Sequence, residues 1–252
     1  MKILKGGTAV RNTAFPRELT GEDRSLGQKY MRRFITLNGI SIAFLMNDLL
    51  ILYGIRNGMP DPQLAVLASF MHLTMPFLIV GKLLIPRLGA ARTWGDAWLL
   101  RYISGSIMIA APFVGNHLPQ PYVSATVLVG AFGFALFRSI GIMANSPLTG
   151  EVTTYEERGS YISGYWTRAQ SSYFLSVALV IVLMRLYGEV WIYQILIGVG
   201  CLVGFYASRQ LVKIPESTAP STSARTPIAR TLRMIREDHR LKRLLGGWAA
   251  GI

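Results

Sequence analysis

Residues 160–208 read SYISGYWTRAQSSYFLSVALVIVLMRL-YGE-VWIYQILIGVGCLVGFYAS, two long apolar runs joined by three residues. Each run, 160–186 and 190–208, is close to or above the roughly 20 residues that a helix needs to cross a bilayer. Backbone that faces lipid outside a helix leaves its amides unsatisfied, so a link this short predicts an antiparallel helical hairpin. From this hairpin we predict an all-α, polytopic membrane protein.

Four further apolar runs precede the hairpin, and charged or polar residues close each of them: 34–55, 62–85, 97–115 and 122–145. The sequence therefore predicts six transmembrane helices. The composition agrees, because hydrophobic residues make up 51% of the 252-residue chain and charged residues only 15%. A typical soluble domain has about 25% charged residues, so a water-soluble enzyme is disfavoured.

Basic residues cluster on one side of the predicted bundle. Lys and Arg number 26 against 13 Asp and Glu, and most of them lie before residue 34, between spans two and three, or after residue 208. The positive-inside rule then predicts a multi-pass protein of the cell membrane with both termini cytoplasmic. We attribute the net charge of +13 to this topology and predict no nucleic-acid partner. Aromatic residues near span ends are interpreted as interfacial: Trp94, Trp98, Tyr122, Trp166, Tyr187, Trp191 and Tyr206.

The segments that flank the six-span domain, 34–208, differ from it in composition. Residues 1–33 are a charged leader, predicted to be cytoplasmic. Residues 209–245 are predicted to be a cytoplasmic loop, in which a flexible linker at 216–226 precedes a basic amphipathic helix on the inner membrane surface. The chain ends in GGWAAGI, 246–252, which is apolar but too short to span a bilayer. We interpret it as the start of a seventh span in a truncated chain.

This arrangement looks like the N-terminal half of a major facilitator superfamily (MFS) transporter, and a motif between spans two and three strengthens the resemblance. The stretch GKLLIPRLGAART, 81–93, is similar to the family's cytoplasmic signature of glycine, acid, arginine and glycine. The matching residues are Gly81, Leu83, Arg87, Gly89 and Arg92. Ile85 or Pro86 stands where the family has an acidic residue, and Asp96 is the candidate substitute.

The link between spans four and five carries a second match. In the stretch NSPLTGEVTTYEERG, 145–159, the family's proline, acid and terminal Arg-Gly correspond to Pro147, Glu151, Arg158 and Gly159. The resemblance implies two three-helix repeats, a cavity lined by spans one and four, and transport of a small solute by alternating access. It also implies six further spans, supplied by a missing C-terminal half or by a dimer partner.

Polar residues within apolar spans are costly and therefore mark candidate functional positions. Asp48 in span one is a candidate proton or cation site, with Asn38 and Asn47 as hydrogen-bonding neighbours. The alternative is a carboxylate near the outer interface that binds a helix end or water.

Arg138 in span four and Arg168 in span five have two possible roles. Both fall in the predicted cytoplasmic halves of their spans, where they could hold an anionic substrate in the cavity. In the other interpretation they form a cytoplasmic gate by pairing with nearby carboxylates, which are those of Asp96, Glu151, Glu156 and Glu157.

The function predicted from these features is secondary active transport of a small solute, with optional proton or cation coupling. A non-transporting membrane subunit or scaffold is the alternative. An intramembrane enzyme is disfavoured, because His72 and His117 have no convincing nucleophile as partner. One cysteine, Cys201, can close no internal disulfide and offers no metal cluster. We therefore predict no cofactor, no metal and no catalytic residue.

Overall fold

The computed structural model describes residues 19–45 and 47–217, and all regular secondary structure in these ranges is helical. Two 3-10 turns, Met75–Phe77 and Met108–Ala110, each connect two consecutive helices. The predicted all-α fold is confirmed, whereas the amphipathic helix and residues 246–252 lie outside the described residues. The helices are α1 (Gly21–Ala43), α2 (Asn47–Arg56), α3 (Asp61–Leu73), α4 (Leu78–Leu88), α5 (Ala90–Ile107), α6 (Ala111–Gly115), α7 (Gln120–Ile142), α8 (Asn145–Val152), α9 (Arg158–Leu186) and α10 (Val190–Leu211).

Within the described ranges, six helical stretches are long and apolar enough to cross a membrane, as the sequence predicted. Spans one to four each contain two helices in series, whereas spans five and six are the single helices α9 and α10. In chain order the spans are Gly21–Arg56, Asp61–Leu88, Ala90–Gly115, Gln120–Val152, Arg158–Leu186 and Val190–Leu211.

Span one begins at Gly21 rather than at residue 34, because Thr20 and Asp23 form a capping box. The Thr20 hydroxyl accepts a hydrogen bond from the Asp23 amide at 3.2 Å, and the Asp23 carboxylate accepts one from the Thr20 amide at 3.1 Å. These reciprocal bonds satisfy amides that have no partner within the helix. The second part of the predicted leader is therefore helical.

The α-helix of span three is interrupted just before Pro112. Side chains of two other spans donate hydrogen bonds to backbone carbonyls at this interruption. Proline has no amide hydrogen, so the carbonyl of Met108, four residues earlier, loses its α-helical partner. The Tyr53 hydroxyl of span one donates to this carbonyl at 2.8 Å. Gln194 of span six donates through Nε2 to the carbonyl of Ile109, also at 2.8 Å. Such partners allow an interrupted helix at membrane depth.

The packing of the spans repeats within the bundle. Span one packs mainly against spans five and six, and span four packs mainly against spans two and three. Spans three and six also pack against each other. If span one is exchanged with span four, span two with span five and span three with span six, the same pairs of spans are in main contact.

Glycines allow the closest approaches between spans. A Cβ atom at Gly204 of span six would overlap the ring of Tyr102 in span three. A Cβ at Gly130 of span four would lie 3.0 Å from the carbonyl oxygen of Ser104 in span three. Glycines of spans four and six thus allow close helix packing.

Candidate functional site

A cavity of about 310 Å³ lies between spans one, three, four and five. Its volume is at the lower end of the roughly 300–1,000 Å³ typical of small-molecule sites. No Asp or Glu is found among the described residues that line it. The aromatic residues of the wall are Phe34, Trp94, Trp98, Tyr165, Trp166 and Tyr173, and its other polar residues are Asn38, Arg101, Arg138, Asn145 and Gln170.

Arg101 of α5 is a buried cation in this wall, with only 3% of its surface exposed. Its guanidinium carbon lies 4.0 Å from the ring centroid of Phe134, 5.0 Å from that of Trp98 and 5.5 Å from that of Tyr102. Cation–π contacts of this kind contribute about 0.5–2 kcal/mol each. Among the described residues, the Nε and Nη1 atoms of Arg101 have no hydrogen-bond partner. Both atoms are fully buried, so Arg101 lines the cavity as a cation without a full set of hydrogen bonds to the described residues.

Asn38 of α1 fixes two aromatic side chains of α5. Its Oδ1 atom accepts hydrogen bonds from Trp98 Nε1 at 2.8 Å and from the Tyr102 hydroxyl at 3.1 Å. Asn38 is 5% exposed and lines the cavity, so these bonds lie at its wall. Because buried indole and phenol donors need partners, one amide oxygen determines the orientation of both rings.

Arg138 of α7 is half-buried and lines the same cavity. It is close enough to Arg101 for the two positive charges to repel each other. Of the residues that the sequence singled out for the cavity, Asn38 and Arg138 are therefore brought together in one wall, and Arg101 joins them.

Asp48 lies at the edge of this cavity rather than in its wall. It is exposed and belongs to the first turn of α2, directly after the break in span one, where Asn47 is the first helical residue. Its charge acts on Tyr173, which does line the cavity. A carboxylate in this position is stabilised by the helix N-terminus. Both interpretations of Asp48, as a coupling site and as a helix-end ligand, are compatible with this placement.

Arg168 lies in a different hollow, of about 270 Å³, between α1 and α9. Arg32, Glu157 and Tyr161 line the same hollow, and Arg168 itself is exposed. Gln28 closes one side by donating to Glu157 Oε1 at 3.0 Å. The structure thus separates Arg168 from Arg138 and brings it near Glu157, one of its predicted gate partners.

The motif between spans two and three forms a tight helix-to-helix turn. Gly81 packs against the carbonyl of Ile140 in span four, and Arg87 is exposed. Gly89 alone separates α4 from α5 and has a φ of +91°, which favours glycine. The link is therefore much shorter than the interval between the predicted spans 62–85 and 97–115.

A carboxylate that the sequence assigned to a flexible linker caps span three. Glu216 accepts hydrogen bonds from the amides of Ala90, at 2.9 Å, and Ala91, which are the first residues of α5. Asp96, the predicted substitute acid, instead forms an ion pair at 3.4 Å with Arg92, one turn earlier in its own helix. The acid at this turn thus comes from after span six.

The second motif organises the end of span four. Arg158 donates through Nη2 to the Gly150 carbonyl and through Nε to the Thr153 hydroxyl, both at 3.2 Å. Glu151 accepts a hydrogen bond from the Ser217 amide at 3.2 Å. Gly159 is an exposed residue in the first turn of α9. These hydrogen bonds connect the end of span four to the start of α9 and to Ser217.

Sequence reasoning missed Arg101 as a site residue and misinterpreted its neighbours. Trp94 and Trp98 are 2% and 3% exposed, so their interpretation as interfacial residues is wrong. The signal was present, because positions 94, 98 and 101 are spaced to share one face of a helix. That face carries a cation and two indoles within an otherwise apolar span.

The described residues contain no group of three or more His, Cys, Asp or Glu placed to hold a metal ion. In comparisons of the chain with known proteins, no family model matched, and neither did any curated protein or solved structure.

Proposed function

We propose that this chain is a six-span half of an MFS-type secondary transporter. In this proposal it moves a small solute across the cell membrane by alternating access, rocking against a second six-span unit. The solute would occupy the cavity between spans one, three, four and five. Asp48, at the edge of that cavity, is the proposed position for proton or cation coupling.

The observation that carries the proposal is the repeat in the helix packing. Spans one to three and spans four to six make equivalent main contacts, and the two sets exchange without changing which spans are in main contact. Internal repeats of this kind are typical of secondary transporters, whose substrate sites lie near the repeat interface. A scaffold subunit has no need of such a repeat or of polar groups in a cavity.

The large exposed surface of spans two and five supports the proposal that a second six-span unit packs against this one. Only 22% of the most apolar stretch of each of these spans is buried, against 44–56% for the other four. On α9, Phe174 and Leu175 are 65% and 74% exposed. Gln170, one turn earlier, lines the cavity. The cavity therefore borders a broad apolar surface on which another bundle, or lipid, can pack.

Thiol accessibility tests alternating access without knowledge of the solute. Because Cys201 is the single cysteine, Cys201→Ser yields a thiol-free background. In that background, Gln170→Cys introduces a thiol at the cavity, and Leu175→Cys introduces one on the apolar surface of the same helix as a control. Labelling by a membrane-impermeant maleimide is then measured in right-side-out and inside-out vesicles from cells that make the protein.

Alternating access predicts that the thiol of the Gln170→Cys variant reacts from both faces of the membrane. The thiol of the Leu175→Cys variant should react slowly from either face, since lipid or protein covers it. Reaction of the Gln170→Cys variant from one face alone would refute the transport proposal and favour a static subunit.

A further inference from the structure

The cavity wall carries two positive charges and, among the described residues, no negative one. Arg101 and Arg138 both line it, and Arg101 is nearly fully buried. Removing a guanidinium from water is costly unless a counter-charge or a full set of hydrogen bonds replaces the water. The aromatic rings around Arg101 offer contacts but no counter-charge. An anion is therefore the ligand that balances this wall.

Neighbouring side chains hold Arg101 in the cavity wall. Phe134 and Trp98 hold its guanidinium on two sides, and Trp98 is itself fixed by the hydrogen bond to Asn38. Its Nε and Nη1 atoms are buried and have no hydrogen-bond partner among the described residues, so the cost of burying this cation is not offset there. Charge-assisted hydrogen bonds from a guanidinium to a carboxylate are about twice as strong as neutral ones. Since the guanidinium is held in place before binding, little entropy is lost on binding.

The aromatic side chains of the wall favour a flat apolar group as the uncharged part of the ligand. Phe34, Trp94 and Tyr165 are buried aromatic residues, and Trp166 adds a further ring at the exposed side. Flat apolar groups pack well against such rings in offset or edge-to-face geometry. We propose that the cavity binds a small organic carboxylate, with an aromatic body against these rings and its carboxylate on Arg101 and Arg138. That this anion is also carried across the membrane rests on the proposed function.

Tryptophan fluorescence provides a direct binding assay, because three of the five tryptophans line the cavity. The purified full chain in lipid nanodiscs is titrated with benzoate and phenylacetate, and in parallel with benzamide and phenylacetamide. The amides keep the shape and the ring but lack the charge. We expect saturable changes with the carboxylates at concentrations at least about tenfold lower than with the amides, since each charge-assisted bond contributes that much.

Two variants test the arginines separately. Arg101→Gln and Arg138→Gln should each weaken carboxylate binding about ten- to one-hundred-fold while leaving amide binding unchanged. Arg209→Gln, at an exposed position near the end of α10, is the matched control and should bind carboxylates like the parent chain. Arg138 is only half-buried, so its variant keeps the test valid even if Arg101→Gln does not fold.

The outcomes separate this inference from the proposed function. Carboxylates that bind no better than their amides, or equal carboxylate binding by the parent chain and Arg138→Gln, would overturn the anion site. Either result leaves two-sided labelling of the Gln170→Cys variant, and with it the transport proposal, untouched. Conversely, selective carboxylate binding with labelling from one face alone would retain the anion site and reject transport.

Discussion

Replacing Gly204 by alanine should destabilise the protein, although alanine is the better helix former. Within a helix, alanine is favoured over glycine by about 1 kcal/mol. At Gly204, however, the added methyl overlaps the Tyr102 ring. That ring is fully buried and its hydroxyl is bonded to Asn38, so it cannot move aside without breaking the bond. Overpacking of this kind costs about 1–3 kcal/mol, and because the ring is trapped we expect a net loss of about 1–2 kcal/mol.

Gly198, on the same helix, provides the matched control. A Cβ there meets only the Ile109 side chain, at the ordinary distance of 3.7 Å. Gly198→Ala should therefore keep the propensity gain and stabilise the protein by up to about 1 kcal/mol. The two variants should differ by about 1–3 kcal/mol in thermal unfolding of the detergent-purified full chain, followed by circular dichroism. If Gly204→Ala unfolds at the same temperature as Gly198→Ala or above it, the contact between spans three and six is not as described.

Three further substitutions probe single interactions by the same unfolding measurement. Glu216→Gln removes the charge that two amides at the start of α5 share, and should cost about 1–2 kcal/mol; unchanged stability would contradict the cap. Tyr53→Phe removes one of the two donors to the Met108 carbonyl and leaves the other, a backbone amide. We expect a loss of stability of about 0.5–1.5 kcal/mol. Unchanged stability would mean that the Tyr53 hydroxyl does not bond to this carbonyl. Arg92→Gln breaks an exposed ion pair with Asp96 and should change stability by no more than about 0.5 kcal/mol; a larger loss would mean that Arg92 has another role.

The six spans were predictable because apolar runs of bilayer length have few other stable structures. The start of span one was not, since residues 21–33 are too polar for a hydropathy signal. The capping pattern at Thr20 and Asp23 marks that start, but the sequence reasoning did not use it. The helix interruptions at Thr74 and Pro112 also depend on partners in other spans, here Ser139 and Tyr53. Such partners are visible only once the spans are packed.

The candidate cavity was predictable in part. Asn38 and Arg138 stood out because polar groups are rare within spans. Arg101 is equally polar, but it lies near the start of an apolar run, where hydropathy alone does not distinguish a surface position from a buried one. Its burial follows from the surrounding rings of Trp98 and Phe134, which reach it from its own helix and from span four. How deeply a side chain is buried in a bundle depends on how the helices pack, and hydropathy along the sequence does not show this.

The cap that Glu216 forms on span three extends the folded unit beyond the last apolar run. Hydropathy ends the bundle at Ser208, yet Ile214, beyond that limit, is only 4% exposed, and Glu216 follows it. A six-span fragment cut at the last apolar residue would leave the start of α5 without its carboxylate. Expression or split-protein work on this bundle should therefore retain the chain at least through Glu216 and Ser217, which bond to α5 and to Glu151.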